Sequence, residues 1–253
     1  RDMGFNMLRK HIKIEPLRWY YHCDRLGMIV WQDMVSCFEG WRTLTMQVLP
    51  FLGLHLHDAP SARLGRAGEL GRQQFLRDMA DTVDLLYNCV SLGLWVPFNE
   101  GWGQFSALEV ADRLRAMDPT RPIDHASGWH DQGGGDLKSR HVYYRSVRLK
   151  NDGRRVLALT EFGGYSLQCP GHLATDKKFG YRMYDDAAAW MDAVEKLYET
   201  EVLPLIQAQG LSAAVYTQLS DVEDEVNGLV TFDRRVCKMD PDRMRKINSK
   251  LHF

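Results

Sequence analysis

Short apolar runs recur along the chain, and most of them are followed by a segment with helical spacing. Apolar runs of four to eight residues between turn residues are typical of buried strands, whereas apolar positions three and four residues apart are typical of amphipathic helices. This alternation predicts a parallel sheet, because parallel neighbours need a crossover connection that is usually a helix. The seven predicted strands lie near Phe5, Ile29, Val96, Ile123, Val142, Leu157 and Val215.

The segments between these strands have clear helical periods. Phe75, Met79 and Val83 recur on one side of a helix, and Glu15-Pro16 is a typical helix start because proline suits the first turn. We predict helices over residues 15–26, 73–86, 107–117, 185–209 and 240–251.

A chain of 253 residues with this alternation can form a doubly wound sheet or a (β/α)8 TIM barrel. No GxGxxG motif follows the first strand, which disfavours a nucleotide-binding doubly wound sheet. Seven strands and one more before Arg1 would make eight. We therefore predict a single α/β domain over residues 1–253, which is a TIM barrel truncated at its amino terminus so that the first strand is missing.

Residues 34–70 break this rhythm with Pro50, Pro60 and several glycines. Long insertions in such folds usually carry binding loops, so we expect this one to lie over the active face. It contains the pair His55 and His57, but no third ligand is nearby in the sequence. We therefore expect neither a metal site nor a cofactor.

Composition disfavours several other classes of function. The net charge is −1, so nothing favours nucleic acid or an anionic membrane surface as a partner. No stretch approaches the ~18 apolar residues of a membrane span. The five cysteines are scattered without CxxC spacing, which is typical of reduced thiols. The chain begins with Arg1 and enters a strand almost at once, so we expect a fragment of a longer protein and predict no compartment.

Two of the predicted strands end in a glutamate that is followed by glycines. Residues 94–103 are LWVPFNEGWG, and residues 156–164 are VLALTEFGG. Because the carboxyl ends of barrel strands meet at one face, we expect Glu100 and Glu161 to face one cleft. Two carboxylates favour glycoside hydrolysis, in which one protonates the leaving oxygen and the other attacks the sugar or activates water. Aromatic side chains that can offer apolar faces to a sugar are Trp102, Trp129, Tyr143 and Tyr216.

Further motifs, in the same order along the chain, resemble the catalytic barrel of glycoside hydrolase family 2, which includes β-galactosidases, β-glucuronidases and β-mannosidases. The resemblance covers residues 4 to about 240 and is specific, because the motifs fall on the predicted strands. The motifs are GFNMLRKH at 4–11, WYY at 19–21, DRLG at 24–27, VWQD at 30–33, FNEGW at 98–102, EFGG at 161–164, YTQ at 216–218, DVE at 221–223 and NGL at 227–229.

The resemblance implies a retaining mechanism in which Glu161 is the nucleophile and Glu100 is the acid/base. It also implies that Tyr143, or alternatively Tyr144, donates a hydrogen bond to the nucleophile. The other sugar contacts that it implies are Asn99 at the 2-hydroxyl, Arg9 and His11 on the pocket floor, and Trp129 and His130.

The chain also departs from the family pattern. Family members carry amino-terminal sugar-binding and immunoglobulin-like sandwich domains, which this chain lacks and which we expect in the parent protein. Tyr-Pro-Gly-Pro is expected where residues 143–146 are YYRS, and a tryptophan is expected where Leu173 and Ala174 stand. Both sites flank the expected pocket, so the sugar and the aglycone stay open. A non-catalytic or degenerate carbohydrate-binding barrel and a transglycosylase with the same intermediate are the alternative hypotheses.

Overall fold

Helices and short parallel strands alternate along the computed structural model, which describes residues 1–177 and 179–253. Contacts between Cα atoms divide the chain into two units, each with a mixed α/β structure. The amino-terminal unit contains residues 6–140 and 152–156, and the carboxy-terminal unit contains residues 1–5, 141–151 and 157–253.

Three parallel strands form the sheet of the amino-terminal unit. Strand β1 (Met7–Lys10) pairs with β2 (Ile29–Asp33), and β2 pairs with β3 (Leu92–Val96). All three strands are short; β2 and β3 are largely buried, whereas the four residues of β1 are only partly buried. Because the three strands are parallel, their carboxyl ends lie at one edge of this sheet.

The next predicted strand, at Ile123, is not formed. Two isolated parallel bridges, Trp95 to Ile123 and Asn99 to Ser127, are found instead. Pro122 has no N–H to give to a ladder, and the Ile123 N–H donates to the Asp136 carboxylate at 2.8 Å. The apolar run at this position therefore follows the sheet edge without becoming a strand of it.

Helices fill the connections of the amino-terminal unit. Helix α1 (Leu17–Leu26) links β1 to β2, and α4 (Ala107–Met117) follows β3 with the bounds that its apolar period predicts. Helix α3 (Glu69–Leu86) precedes β3 and begins earlier than predicted. The segment 34–70 has a π-helical turn (Leu44–Val48), a short helix α2 (Leu49–Phe51) and a 3₁₀ turn (Ser61–Leu64).

The carboxy-terminal unit is built on a second parallel sheet. Strand β5 (Val156–Gly163) pairs with β8 (Leu211–Thr217), and the carboxyl end of β4 (Leu137–Val142) belongs to the same sheet. Strands β6 (Tyr165–Leu167) and β7 (Arg182–Tyr184) form a separate parallel pair. The pattern of the sequence does not predict β6 and β7, because three residues are too few to establish an alternation.

The helix predicted over residues 185–209 is formed in three pieces. They are α5 (Ala187–Leu197), a π-helical turn (Tyr198–Val202) and α6 (Leu203–Gln209). Pro204 has no backbone N–H, so it cannot donate the α-helical hydrogen bond to the carbonyl four residues earlier. This missing bond accounts for the interruption before it.

Helices α5 and α7 (Pro241–Asn248) and the β5–β8 sheet share one apolar core. Trp190 is fully buried in it, and its indole N–H donates to the Tyr165 carbonyl at 2.9 Å. This hydrogen bond satisfies the one polar group of a large buried side chain. Other members of the core are Leu157, Leu159, Phe162, Val194, Leu197, Tyr198, Val202, Leu211, Met244 and Ile247.

The barrel predicted from the sequence is not closed within the described part of the chain. The strands form two sheets of three and one pair. The apolar run at Ile123 contributes no strand, and β6 and β7 pair with each other instead of extending a larger sheet. The fold is therefore mixed α/β with small parallel sheets. No helix within the described residues is long and apolar enough to cross a membrane.

A buried ion pair fastens the loop that follows β8. Lys238 Nζ donates to Asp221 Oδ1 at 2.7 Å and to the carbonyls of Leu167 and Val226 at 2.9 Å each. The two charged side chains are 0% and 3% exposed. Burial lowers the pKa of the Lys238 ammonium group, and Asp221 opposes that shift. All three ammonium donors are used, so the pair joins the loop to β6.

Replacing Lys238 with methionine should lower the free energy of unfolding by about 3–5 kcal/mol, because it leaves the Asp221 carboxylate buried without its cation. Urea denaturation followed by circular dichroism measures this loss. The matched control is Lys250→Met, which removes a partly exposed ion pair with Glu199 and should cost much less, because water already solvates both charges. Equal effects of the two substitutions would contradict the role of the buried pair.

Candidate active site

The three strand ends of the amino-terminal sheet carry a hydrogen-bonded cluster. Arg9 on β1 donates from Nε and Nη2 to the two carboxylate oxygens of Asp33, each at 2.9 Å. The same Nη2 donates to Asn99 Oδ1, beyond β3, at 2.7 Å. Asp33 ends β2, so one guanidinium group joins all three strands. Two parallel N–H···O bonds make this a rigid charge-assisted contact.

Arg9 fixes the orientation of the Asn99 amide. A guanidinium group can only donate, so the amide atom beside it is the oxygen and the amide NH₂ points elsewhere. Asn99 is 2% exposed, and its Nδ2 has no hydrogen-bond partner among the described residues. A buried amide donor without a partner is costly unless a ligand oxygen accepts from it. The NH₂ group of Asn99 is therefore the group that can donate to a ligand oxygen.

Asp33 is held as a carboxylate by its neighbours. Burial alone would raise its pKa, but the Arg9 guanidinium and the His11 ring outweigh burial and lower the pKa below its usual value. His11 Nδ1 lies 3.6 Å from Asp33 Oδ2, and the Ile12 N–H donates to the same oxygen at 3.2 Å. Arg9 thus has an ionised partner, which keeps the cluster in place.

Glu100 sits in a sharp turn after β3. Its φ is 52°, in the left-handed region that residues with a side chain adopt rarely and often at functional sites. Its N–H donates to the Ser127 carbonyl at 3.0 Å, and its side chain is largely buried. Gly101 follows with φ 73°, and a Cβ there would lie 2.4 Å from His130 Cδ2. Only glycine fits at this point, so the backbone of the turn that carries Glu100 is fixed.

The aromatic ring of Trp102 borders a small cluster beside this turn. Its centroid lies 6.0 Å from that of His11 and 6.4 Å from those of Phe38 and Trp41. Trp41 is 47% exposed. The sequence pattern does not point to Phe38 and Trp41, because they lie in the irregular segment 34–70, where no period predicts which side chains come together.

His130 holds the segment 34–70 by both ring nitrogens. The Leu56 N–H donates to Nδ1 at 3.1 Å, so Nε2 carries the proton and donates to the Thr45 carbonyl at 2.9 Å. Burial lowers the pKa of His130, which favours this neutral form. The neighbouring Trp129 is mostly buried and touches Phe51 edge-on. These contacts hold the His130 ring by both nitrogens, and the sugar contact predicted for it stays a prediction.

In the carboxy-terminal unit, two side chains contact the carboxylate of Glu161 on β5. Tyr143 Oη donates to Glu161 Oε2 at 2.8 Å, and His141 Nδ1 lies 3.3 Å from the same oxygen. Tyr143 Oη also lies 2.8 Å from Thr217 Oγ1 at the end of β8. The motifs and strand ends of the sequence do not point to His141 or Thr217. The strand period could have found His141, because it is two residues before Tyr143 and on the same face.

A second tyrosine supports Tyr143. The rings of Tyr143 and Tyr181 stack with centroids 3.8 Å apart and an interplanar angle of 5°. Tyr144, the alternative partner for Glu161, is instead 66% exposed and meets Tyr181 edge-on. The structure therefore selects Tyr143 as the tyrosine that contacts Glu161.

Tyr216 lies in the apolar core of the carboxy-terminal unit. Its ring packs against Phe162 and Tyr198, and its side chain is 8% exposed. Burial raises the pKa of its hydroxyl well above the usual value. The sugar contact predicted for Tyr216 stays a prediction. Its neighbour on β8, Thr217, points to Tyr143 instead.

Solved structures share this fold, although no family model and no curated protein sequence matches the chain. The β-D-glucuronidase of Dictyoglomus thermophilum has a TM-score of 0.69 at 16% identity, and the match covers 99% of this chain and 46% of that one. The GH2 β-galacturonidase of Eisenbergiella tayi, bound to galacturonate, has a TM-score of 0.69 at 14% identity, over 99% and 46%. The β-glucuronidase of Parabacteroides merdae, with glycerol in its active site, has a TM-score of 0.63 at 14% identity, over 100% and 34%.

The chain thus spans less than half the length of each of these solved proteins. At such low identity the likeness concerns the backbone, and it extends over nearly all of the chain. The resemblance that the motifs indicate is confirmed at the level of the fold: this chain shares the fold of these β-glucuronidase and GH2 β-galacturonidase structures.

Proposed function

We propose that this chain carries the catalytic residues of a retaining β-glycosidase, which hydrolyses β-linked sugars through a covalent glycosyl-enzyme. The observation that carries the proposal is the Tyr143–Glu161 hydrogen bond of 2.8 Å at a strand end, in a domain with the GH2 fold. We also propose that its strands belong to a TIM barrel, with residues 34–70 over the active face. Amino-terminal sandwich domains would complete the parent protein.

Glu161 acts as the nucleophile in this proposal. As a carboxylate it attacks the anomeric carbon and forms an ester with the sugar. The Tyr143 hydroxyl donates to one of its oxygens and holds the carboxylate in a fixed rotamer. Such preorganisation supports attack because little reorganisation is needed when the bond forms.

Glu100 acts as the acid/base. It protonates the glycosidic oxygen as the bond to the aglycone breaks, and as a carboxylate it then takes a proton from the attacking water. The turn at Glu100 and Gly101 fixes the backbone that carries this side chain. Trp102, two residues later, is proposed to offer an apolar face to the substrate.

Asn99 is proposed to donate to the sugar 2-hydroxyl, a contact that strengthens in the transition state of glycoside hydrolysis. The Arg9 contact with Asn99 Oδ1 supports this role, because it leaves the amide NH₂ as the group available to a ligand. Asp33, which His11 contacts in turn, holds Arg9 from the other side.

Replacing Arg9 with lysine should lower kcat/KM for an ordinary β-glycoside about three- to tenfold, because the ammonium cannot hold Asp33 and Asn99 together. The same substitution should leave the kcat/KM of the matching 2-deoxy glycoside nearly unchanged. Steady-state kinetics with the two substrates makes the comparison. Equal losses of kcat/KM with both substrates would contradict the proposed hydrogen bond from Asn99 to the 2-hydroxyl.

The test of the function is covalent labelling of the protein as its gene encodes it, with any flanking sequence retained. The probes are 2,4-dinitrophenyl 2-deoxy-2-fluoro-β-glycosides of the gluco, galacto, manno, glucuronic and galacturonic series. We expect a mass increase of one fluoroglycosyl residue with at least one probe, on the peptide that contains Glu161. Labelling with none of the probes, or on another residue, would overturn the proposal. The sugar that reacts fastest identifies the substrate class.

A further inference from the structure

Three side-chain oxygens follow one another at hydrogen-bond distance at the ends of β5 and β8. Thr217 Oγ1 lies 2.8 Å from Tyr143 Oη, which lies 2.8 Å from Glu161 Oε2. Thr217 is held at this position by the sheet, since it pairs with Gly163 and its carbonyl accepts from the Gly164 N–H at 3.0 Å. The threonine is therefore placed by the same strand pairing that places the glutamate.

The number of available protons determines which oxygen donates in each of these two hydrogen bonds. An ionised glutamate has no proton to share, so the hydrogen in its contact with Tyr143 is the phenolic one. A phenol has only that one hydrogen. The contact between Tyr143 and Thr217 then needs the threonine hydroxyl as donor. The hydrogen bonds therefore run from Thr217 to Tyr143 and from Tyr143 to Glu161.

We propose that Thr217 is a positioning residue that acts on the nucleophile through Tyr143. The inference rests on the proposed role of Glu161 as nucleophile. A phenol that accepts a hydrogen bond becomes a stronger donor, because consecutive hydrogen bonds polarise one another. Thr217 thus strengthens the bond that Tyr143 gives to the carboxylate.

The surroundings of Tyr143 limit its other movements. Its ring is 5% exposed and lies flat on Tyr181 at 3.8 Å, so the aromatic plane is already fixed. The torsion of the hydroxyl is the freedom that stacking does not restrict, and Thr217 is the side chain placed to restrict it. Tyr181 and Thr217 therefore restrain different degrees of freedom of one residue.

The test replaces Thr217 with valine, which keeps the shape of the side chain and removes its hydroxyl. We expect the rate constant of inactivation by the best fluoroglycoside to fall about three- to tenfold, since one hydrogen bond to the donor is lost. Thr217→Ser keeps the hydroxyl and should restore the rate to within about twofold of the unmodified protein. Dissociation constants for a non-reacting sugar inhibitor should stay equal, because the ground-state contacts are unchanged.

A double-variant cycle separates this role from a purely structural one. In a Tyr143→Phe background the phenolic hydroxyl is absent, so Thr217→Val should cause no further loss of the inactivation rate. The matched control is Thr200→Val, at an exposed helical position, which should leave the rate unchanged. Thermal melting of each variant checks that the fold is retained.

The outcomes distinguish the two proposals. An unmodified protein that no probe labels overturns the proposed function, and the role of Thr217 with it. Labelling of Glu161 at an undiminished rate in Thr217→Val overturns the role of Thr217 alone. So does an equal loss in the Tyr143→Phe background, or a failure of serine to restore the rate.

Discussion

Replacing Glu161 with glutamine should reduce kcat for a 4-nitrophenyl β-glycoside by roughly 10⁴- to 10⁶-fold. The amide has nearly the size of the carboxylate, and its oxygen can still accept from Tyr143, so the local structure stays the same. The amide is neutral and a poor nucleophile, so it cannot form the glycosyl ester. Steady-state kinetics on the full gene product measures the loss, and the fluoroglycoside label should disappear with it.

Glu109→Gln provides the control, because Glu109 is an exposed carboxylate on α4. It should keep full activity and full labelling. Substantial hydrolysis by Glu161→Gln would refute the nucleophile assignment. If the unmodified protein binds sugars but neither hydrolyses them nor takes the label, the non-catalytic carbohydrate-binding barrel becomes the better hypothesis. Product analysis with an added acceptor sugar identifies transglycosylation.

The sequence predicted a helix or strand correctly where its apolar residues recur at one spacing over the whole length of the element. Helix α4 (Ala107–Met117) has the predicted bounds, because its apolar positions recur without interruption. The predicted helix over 185–209 contains Pro204, and the missing N–H interrupts it. The apolar run at Ile123 looks like the other strands, but its N–H is taken by the Asp136 side chain. A long-range contact of that kind is not visible in a local pattern.

The sequence predicted which site residues lie near strand ends, but it did not predict which face of a strand each side chain is on. Glu100, Glu161 and Arg9 follow or end apolar runs, and the structure places each at a strand end. On β8 the sequence suggested Tyr216, whereas the structure directs Thr217 towards Tyr143 and Tyr216 into the core. A shift of one residue exchanges the two faces of a strand, and an apolar run without alternation does not show which face is which.

His130 shows a different limit of the sequence. It lies in a glycine-rich loop, where no period gives the direction of a side chain. Its two ring nitrogens bind backbone groups of Leu56 and Thr45, more than seventy positions earlier in the chain. The imidazole therefore serves the irregular segment 34–70, for which no local rule predicted a structure. The sequence supplied the chemistry of the residue, and only the fold could supply its partners.

Replacing Glu100 with alanine should have an effect that depends on the leaving group. For an alkyl β-glycoside, whose alcohol leaves only when protonated, kcat/KM should fall about 10²- to 10⁴-fold. For a 2,4-dinitrophenyl glycoside the leaving phenolate needs no proton, so formation of the glycosyl-enzyme should be nearly unaffected. Its hydrolysis should be slow, because no base activates the water. A series of aryl glycosides of graded acidity, with pre-steady-state bursts, measures both steps.

Azide then distinguishes the two glutamates by the stereochemistry of their products. In Glu100→Ala, azide can enter the space that the acid/base leaves and attack the glycosyl-enzyme, which gives a β-glycosyl azide. In Glu161→Ala, azide replaces the nucleophile on the opposite face of the sugar and gives the α-glycosyl azide. Proton NMR of the anomeric coupling separates the two products. The same anomer from both variants, or an equal loss of kcat/KM for all leaving groups in Glu100→Ala, would contradict the division of roles, because only groups on opposite faces of the sugar give opposite products.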